Sequence, residues 1–269
     1  MASTRRLAIS NIAWDARDDD EIAALLAREG MNGVEIAPTK WRPDPLNATA
    51  AETARYRGMW EDRGLPIVAL QALLFGRPDL QLFGDSRPRL AEYLERVIEL
   101  GAALGAHALV FGSPKNRLRG AMPLAHATTI AVDFFREIGD YAAEHGVVLA
   151  IEANPPEYGC DFITTTAEAI ALAESIANPG IGVNGDLGGI TMSGDDVAAS
   201  IARAGALLAH FHASEPELAE LGTAGADHAA AARALGAAGY QGWVSVEMKA
   251  VGVEGVRRAV RGAKERYGE

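Results

Sequence analysis

Short apolar runs rich in Val, Ile, Leu and Ala recur along the whole chain and predict strands at Leu7–Ile12, Gly33–Ile36, Ile67–Leu70, Ala108–Phe111, Val147–Glu152, Ile181–Asp186, Leu208–His212 and Trp243–Glu247. Most are nearly continuous in hydrophobicity, as strands buried on both faces of a parallel sheet must be. Between them the apolar spacing turns helical. Ile22, Leu25 and Leu26 fall on one helix face behind the caps Asp18–Asp20, and Gly30 ends that helix. Ile130, Phe134, Ile138 and Tyr141 form another stripe, stopped by Gly146. Thr165-x-x-Glu168 is a capping box, and Asp227 caps a helix ending near Gly239.

Eight strands alternating with helices in 269 residues give about 34 residues per unit, the size expected for a (β/α)8 TIM barrel, an α/β fold. A doubly wound open sheet is the competitor, but it usually carries a glycine-rich turn after its first strand. Here Ile12-Ala13-Trp14-Asp15 follows instead. No linker or low-complexity tract interrupts the pattern, so a single domain over 1–269 is expected.

In such a barrel the chemistry collects at the C-terminal strand ends. Four consecutive strands end in an ionisable residue: Glu152, Asp186, His212 and Glu247, spaced about one βα unit apart. Three carboxylates packed together repel and raise one another's pKa. A divalent cation resolves that conflict, and an oxygen-rich set with one nitrogen suits Mn²⁺, Mg²⁺ or Co²⁺ better than structural zinc. Two positions back, on the same strand face, lie Asn184, His210 and Ser245, placed to orient those ligands. His210 reads more readily as a hydrogen-bonded core histidine than as a ligand.

Charge and cysteine usage narrow the function. Twenty-five Lys and Arg stand against 36 Asp and Glu, for a net charge of −11. That balance opposes a nucleic-acid surface and an anionic membrane. The single Cys160 excludes an internal disulfide and a thiolate zinc site, and points to a reducing, cytoplasmic setting. The N-terminal stretch is not a secretory signal, since its apolar run breaks at Ser10 and Asn11 and enters Asp15–Asp20. No run is long enough for a membrane span.

The order and spacing of Glu152, Asp186, His212 and Glu247 resemble the metal site of the xylose-isomerase-like barrels, the sugar phosphate isomerase/epimerase group. The resemblance runs from Asn32–Ile36 to Gly239–Glu247. It implies one divalent metal, Mn²⁺ before Mg²⁺ or Co²⁺, a small carbohydrate substrate, and a homo-oligomer. It further implies that Glu152 and Glu247 act from opposite faces of the substrate, removing and returning a proton α to a carbonyl through an enediolate. Two positions depart from the ketose 3-epimerase pattern. Gly189 stands where a histidine is usual, and Leu218 where an arginine is usual. Both normally grip the substrate, so a keto-sugar dehydratase or C-glycoside deglycosidase (a lyase) is the alternative. A catalytically silent carbohydrate-binding barrel is a third reading. The related DNA-repair endonucleases need many histidines, and this chain has six.

Other residues fall near the expected mouth. Trp14 and Phe75 read either as an apolar wall against a sugar or as a barrel plug. Glu35 reads as a contact to a substrate hydroxyl, with a loop cation as the other partner, and Gln71 follows the third strand. Lys115, Asn116 and Arg117 follow Gly112-Ser113 and read as an anion grip or as a solvated loop. Asn154 and Glu157 lie just past Glu152 in a proline-stiffened loop, also placed for substrate. Lys249 follows Glu247 closely enough to reach the substrate. Cys160 has no basic neighbour and reads as inert.

Overall fold

The computed structural model describes residues 5–268; the ends of the expected domain, at 1 and 269, lie outside them. Eight strands pair in parallel in sequence order and close on themselves. They are β1 (Arg6–Ser10), β2 (Gly33–Ile36), β3 (Ile67–Leu70), β4 (Ala108–Phe111), β5 (Val148–Glu152), β6 (Ile181–Asp186), β7 (Leu208–Ser214) and β8 (Trp243–Glu247). Their residues are almost all buried, because the helices cover one face and the barrel interior fills the other.

Local signals act mostly where they stand in the sequence, but Asp18, at the N-cap of helix Asp19–Glu29, makes no side-chain capping bond, and Asp19 and Asp20 lie within the helix. Gly30 ends helix Asp19–Glu29 at φ +74°, a conformation glycine adopts without Cβ strain. The Asp227 side chain accepts from the Ala230 backbone N–H at 2.8 Å and opens helix His228–Ala237. Thr165 caps its helix as expected, but Glu168 returns its bond to the Thr164 backbone rather than to Thr165, so the box is shifted by one residue.

Two strand ends differ from expectation, and both differences matter. β1 stops at Ser10, where the Ser10 hydroxyl accepts from the Ile12 N–H and turns the chain into a short 3-10 helix. β7 continues two residues beyond His212 to Ser214. His212 is therefore not at the strand tip. It pairs with Asp186 on one side and Ser245 on the other, one pleat below the Ser214–Glu247 pair.

Candidate metal centre at the barrel mouth

Glu152, Asp186, His212 and Glu247 converge at the C-terminal ends of β5 to β8. His212 Nδ1 lies 3.4 Å from Glu152 Oε2, 3.9 Å from Asp186 Oδ2 and 3.2 Å from Glu247 Oε2. The imidazole is fully enclosed, while the three carboxylates keep 11%, 13% and 12% exposure toward a cavity. Its other nitrogen, Nε2, lies 3.1 Å from Glu35 Oε1. That bond sets the ring so that Nδ1 is the nitrogen left to face the carboxylates.

Each carboxylate is itself held. Glu152 accepts from the side-chain amides of Asn154 and Asn184, both at 2.8 Å. The Asn154 carbonyl in turn accepts from Arg117 Nη2 at 2.9 Å. Gly112 is needed beside this pair, since a Cβ there would sit 2.7 Å from Glu152 Oε1. Asp186 caps helix Leu187–Ser193 by accepting from the Gly189 N–H, and its second oxygen accepts from the Ser214 hydroxyl. A Cβ at residue 189 would lie 2.9 Å from Asp186 Oδ1, so the glycine belongs to the way Asp186 is held.

The electrostatics show what the cluster lacks. Burial, reinforced by the Glu152 and Glu247 charges, pushes Asp186 up to about 7. Burial also raises Glu247. Burial opposes a charge on His212, but Glu35 and Glu247 override it and hold the imidazole well above its ordinary value. For Glu152, burial is outweighed by His212 and by its hydrogen bonds, which hold it low. Glu35 is likewise kept well below the carboxylate range by His212 and His210 despite complete burial. One proton on His212 is a poor counterweight to three carboxylates. Glu152, Asp186 and His212 present ligand atoms within 4.8 Å of one another, and Glu247 approaches the same nitrogen. The oxygen-rich donor set fits a divalent cation.

The cavity above this cluster has a volume of about 550 Å³ and is lined by Gln71, Asn154, Glu157 and Lys249 among the expected residues. Trp14, Glu35, Lys115, Asn116 and Arg117 do not line it. Trp14 is fully buried; its indole N–H donates to Asp19 and its ring packs near Trp60, so it belongs to the packing between helices Asp19–Glu29 and Ala50–Glu61 and not to a wall against a sugar. Glu35 is at the bottom of the barrel mouth, bonded to His212, His210 and the Ser245 hydroxyl, and holds His212 instead of a substrate. Arg117 is 1% exposed and braces Asn154, while Asn116 ties its loop to the Arg77 and Leu80 carbonyls. Lys115 and Phe75 are exposed outside the cavity lining. The anion grip expected in that loop is thus absent from the cavity, because the guanidinium turns inward to backbone carbonyls.

Residues not expected from the sequence complete the site. Tyr158, Met192 and Glu217 line the cavity alongside Leu218. Ser214 would have followed from continuing the period-two alternation past His212. Glu215, 1% exposed, accepts from the backbone N–H groups of Gly222, Ala224 and Ala226 and sits 2.9 Å from His228 Nε2. It fastens the loop that carries Glu217 and Leu218 to the cavity wall.

A family profile described as the xylose isomerase-like TIM barrel matches residues 23–266. The chain belongs to this family. Among curated relatives, a ketose 3-epimerase of Arthrobacter globiformis is 25% identical over 159 residues, 58% of this chain and 54% of that protein. The match thus spans about half the length of that relative. Among solved structures, a D-psicose 3-epimerase crystallised with D-fructose superimposes with a TM-score of 0.81 at 18% identity, covering 98% of this chain and 100% of that one. A 3-keto-D-glucoside 4-epimerase from E. coli gives 0.80 at 19% identity, covering 97% and 98%. At these identities the structural likeness concerns the barrel. No helix among the described residues is long and apolar enough to cross a membrane.

Proposed function

We propose that this member of the xylose isomerase-like barrels is a divalent-metal-dependent epimerase or isomerase of sugars or polyol derivatives. It works by proton transfer at the carbon α to a carbonyl. The observation that carries this reading is the facing of His212 Nδ1 by Glu152, Asp186 and Glu247 at the floor of an open cavity. Those four residues would hold the metal, with Mn²⁺ favoured by the oxygen-rich set and Mg²⁺ or Co²⁺ as alternatives. A divalent ion bound there would polarise the substrate carbonyl and acidify the neighbouring C–H.

The chain's own groups supply the rest. Glu152 and Glu247 stand on β5 and β8, three staves apart around the ring, and both reach the cavity. One takes a proton from the carbon and the other returns one on the opposite face. Asn154 and Asn184 fix Glu152 in place, so its oxygens are aimed before substrate arrives. Gln71, Asn154 and Glu157 are available to substrate hydroxyls. A cytoplasmic protein, alone or as a homo-oligomer, fits the cysteine usage and the family. The curated ketose 3-epimerase and the keto-glucoside epimerase structure support the same class of chemistry. A lyase would share the first proton abstraction. It is favoured by the glycine at 189 and the leucine at 218, which leave the substrate without two polar grips.

Incubation in D₂O with Mn²⁺ and a panel of ketoses, keto-acids and 3-keto-glycosides tests the reading. Metal-dependent deuterium incorporation should appear by NMR and vanish in Glu152→Gln and Glu247→Gln. The product then separates epimerase from lyase. A protein that takes up no divalent ion when supplied, or exchange that survives both substitutions, would sink the proposal.

A further inference from the structure

The wall above the metal set is apolar on three neighbouring staves. Tyr158, Met192 and Leu218 each lie six residues beyond Glu152, Asp186 and His212, in the segments that follow β5, β6 and β7, with Met192 on helix Leu187–Ser193. All three line the cavity, with Ala72, Val110 and Pro114 adding further apolar lining. The Tyr158 hydroxyl accepts from the Glu217 N–H at 2.9 Å, which joins the loops after β5 and β7 into one surface over Asp186.

Leu218 is placed there against a local cost. Its φ is +57°, a region that leucine avoids, as does Glu217 before it. Tertiary bonds hold the pose. The Leu218 N–H donates to the Glu215 carbonyl, its own carbonyl accepts from the Lys249 N–H, and the Glu215 carboxylate fastens the following turn. A strained leucine held at a cavity wall implies a use for its side chain. Charge narrows the occupant further. Glu157 and Glu217 line the cavity against a single cation, Lys249, among the described residues, above three carboxylates. An anionic substituent is repelled.

We infer that the substrate is a neutral keto-sugar bearing an apolar, aromatic-sized substituent, with the sugar carbonyl at the metal set and the substituent against Tyr158, Met192 and Leu218. This rests on the proton-transfer reading above. A cavity of about 550 Å³ falls in the range that encloses such molecules, where a lone sugar ring would leave the outer wall wet.

The test compares 3-keto-glucose, methyl 3-keto-β-D-glucoside, phenyl 3-keto-β-D-glucoside and 3-keto-glucose 6-phosphate as substrates for deuterium exchange by the Mn²⁺-loaded full chain. The phenyl compound should exceed 3-keto-glucose in kcat/KM by about tenfold or more, and the phosphate should fall below it. Leu218→Asn, which keeps a residue tolerant of positive φ, should shrink the phenyl-to-methyl ratio several-fold. Exchange on all four with a phenyl-to-methyl ratio near unity, or a preference for the phosphate, overturns the inference and leaves the proton-transfer reading standing. No exchange on any keto-sugar overturns that reading instead. Equilibrium titration with phenyl and methyl β-D-glucoside, which carry no carbonyl, then decides the wall by itself. Tighter phenyl binding, weakened in Leu218→Asn, supports it, and equal binding removes it.

Discussion

Two buried histidine–carboxylate clusters lie a short distance apart, on and beyond β7, and they are built on opposite principles. In one, His228 places Nδ1 2.7 Å from the Tyr267 hydroxyl and Nε2 2.9 Å from Glu215, and Glu215 also receives three backbone N–H groups. Every polar atom there has a complementary partner, and one carboxylate meets four donors. In the other, three carboxylates crowd a single imidazole nitrogen. Burial lowers His228, and its donors keep Glu215 ionised despite burial, whereas Asp186 is driven up to about 7. A satisfied cluster stabilises the fold. An overcharged one is held in place by the fold and is balanced by a ligand. The same residue types serve both ends, and the count of charges against donors tells them apart.

Breaking the overcharged cluster should have the largest effect. His212→Asn or Glu247→Gln should lower metal-dependent exchange by about a thousandfold while leaving the fold intact, as read by circular dichroism and exchange rates. Mn²⁺ at about a hundred times its dissociation constant should stabilise the wild type by about 2.7 kcal/mol. The same addition should do little for His212→Asn in thermal melts.

The satisfied cluster should respond in the other sense. Glu215→Gln replaces one acceptor oxygen with an NH2 donor that faces other donors, and should cost about 2 kcal/mol of stability, a fall in Tm of about 5 °C. Mn²⁺ affinity, measured by calorimetry, should change far less. A large loss of metal binding with no loss of stability would erase the distinction between the two regions.

Acid should separate them further. His228 has a folded pKa below its ordinary 6.5, so the unfolded chain takes up its proton first as pH falls. Its contribution to stability is therefore complete above about 6.5 and is lost as pH drops toward the lowered folded value. Urea unfolding from pH 7 to 5 should show a shallower decline in His228→Gln than in the wild type. The smallest effect is expected far from both clusters. Thr49 caps helix Ala50–Glu61, and Thr49→Ala should cost about 1 kcal/mol in denaturant melts, with metal binding unchanged.

How far the site could be read in advance follows from its geometry. Glu152, Asp186 and Glu247 end strands whose boundaries follow from local hydrophobicity, so their arrival at one rim was legible. Asn184 and Ser245 followed from strand alternation, and both point to the cluster's ligands or their support. Glu35 was read toward the substrate because its strand end looked like the others. It instead meets β7 and β8 across the barrel interior, through His210, His212 and Ser245. Arg117 reads in the sequence as part of an anion grip or as a solvated loop cation. Its loop folds it onto the carbonyls of Phe111 and Ile163, a destination that no neighbour in sequence announces.

The amino-acid sequence by itself determined the eight βα units, most of their helix ends and the order of the ionisable strand ends, because strand period, helix spacing and turn chemistry act over a few residues. Only the closed barrel decided which of those residues share a depth. Its stagger sets His212 one pleat below Ser214 and Glu247, brings Glu35 beneath the imidazole, and folds the Glu215 loop so that Leu218 faces the cavity. Those choices depend on closure among staves far apart in the chain, and contacts of that range leave no local mark in the sequence.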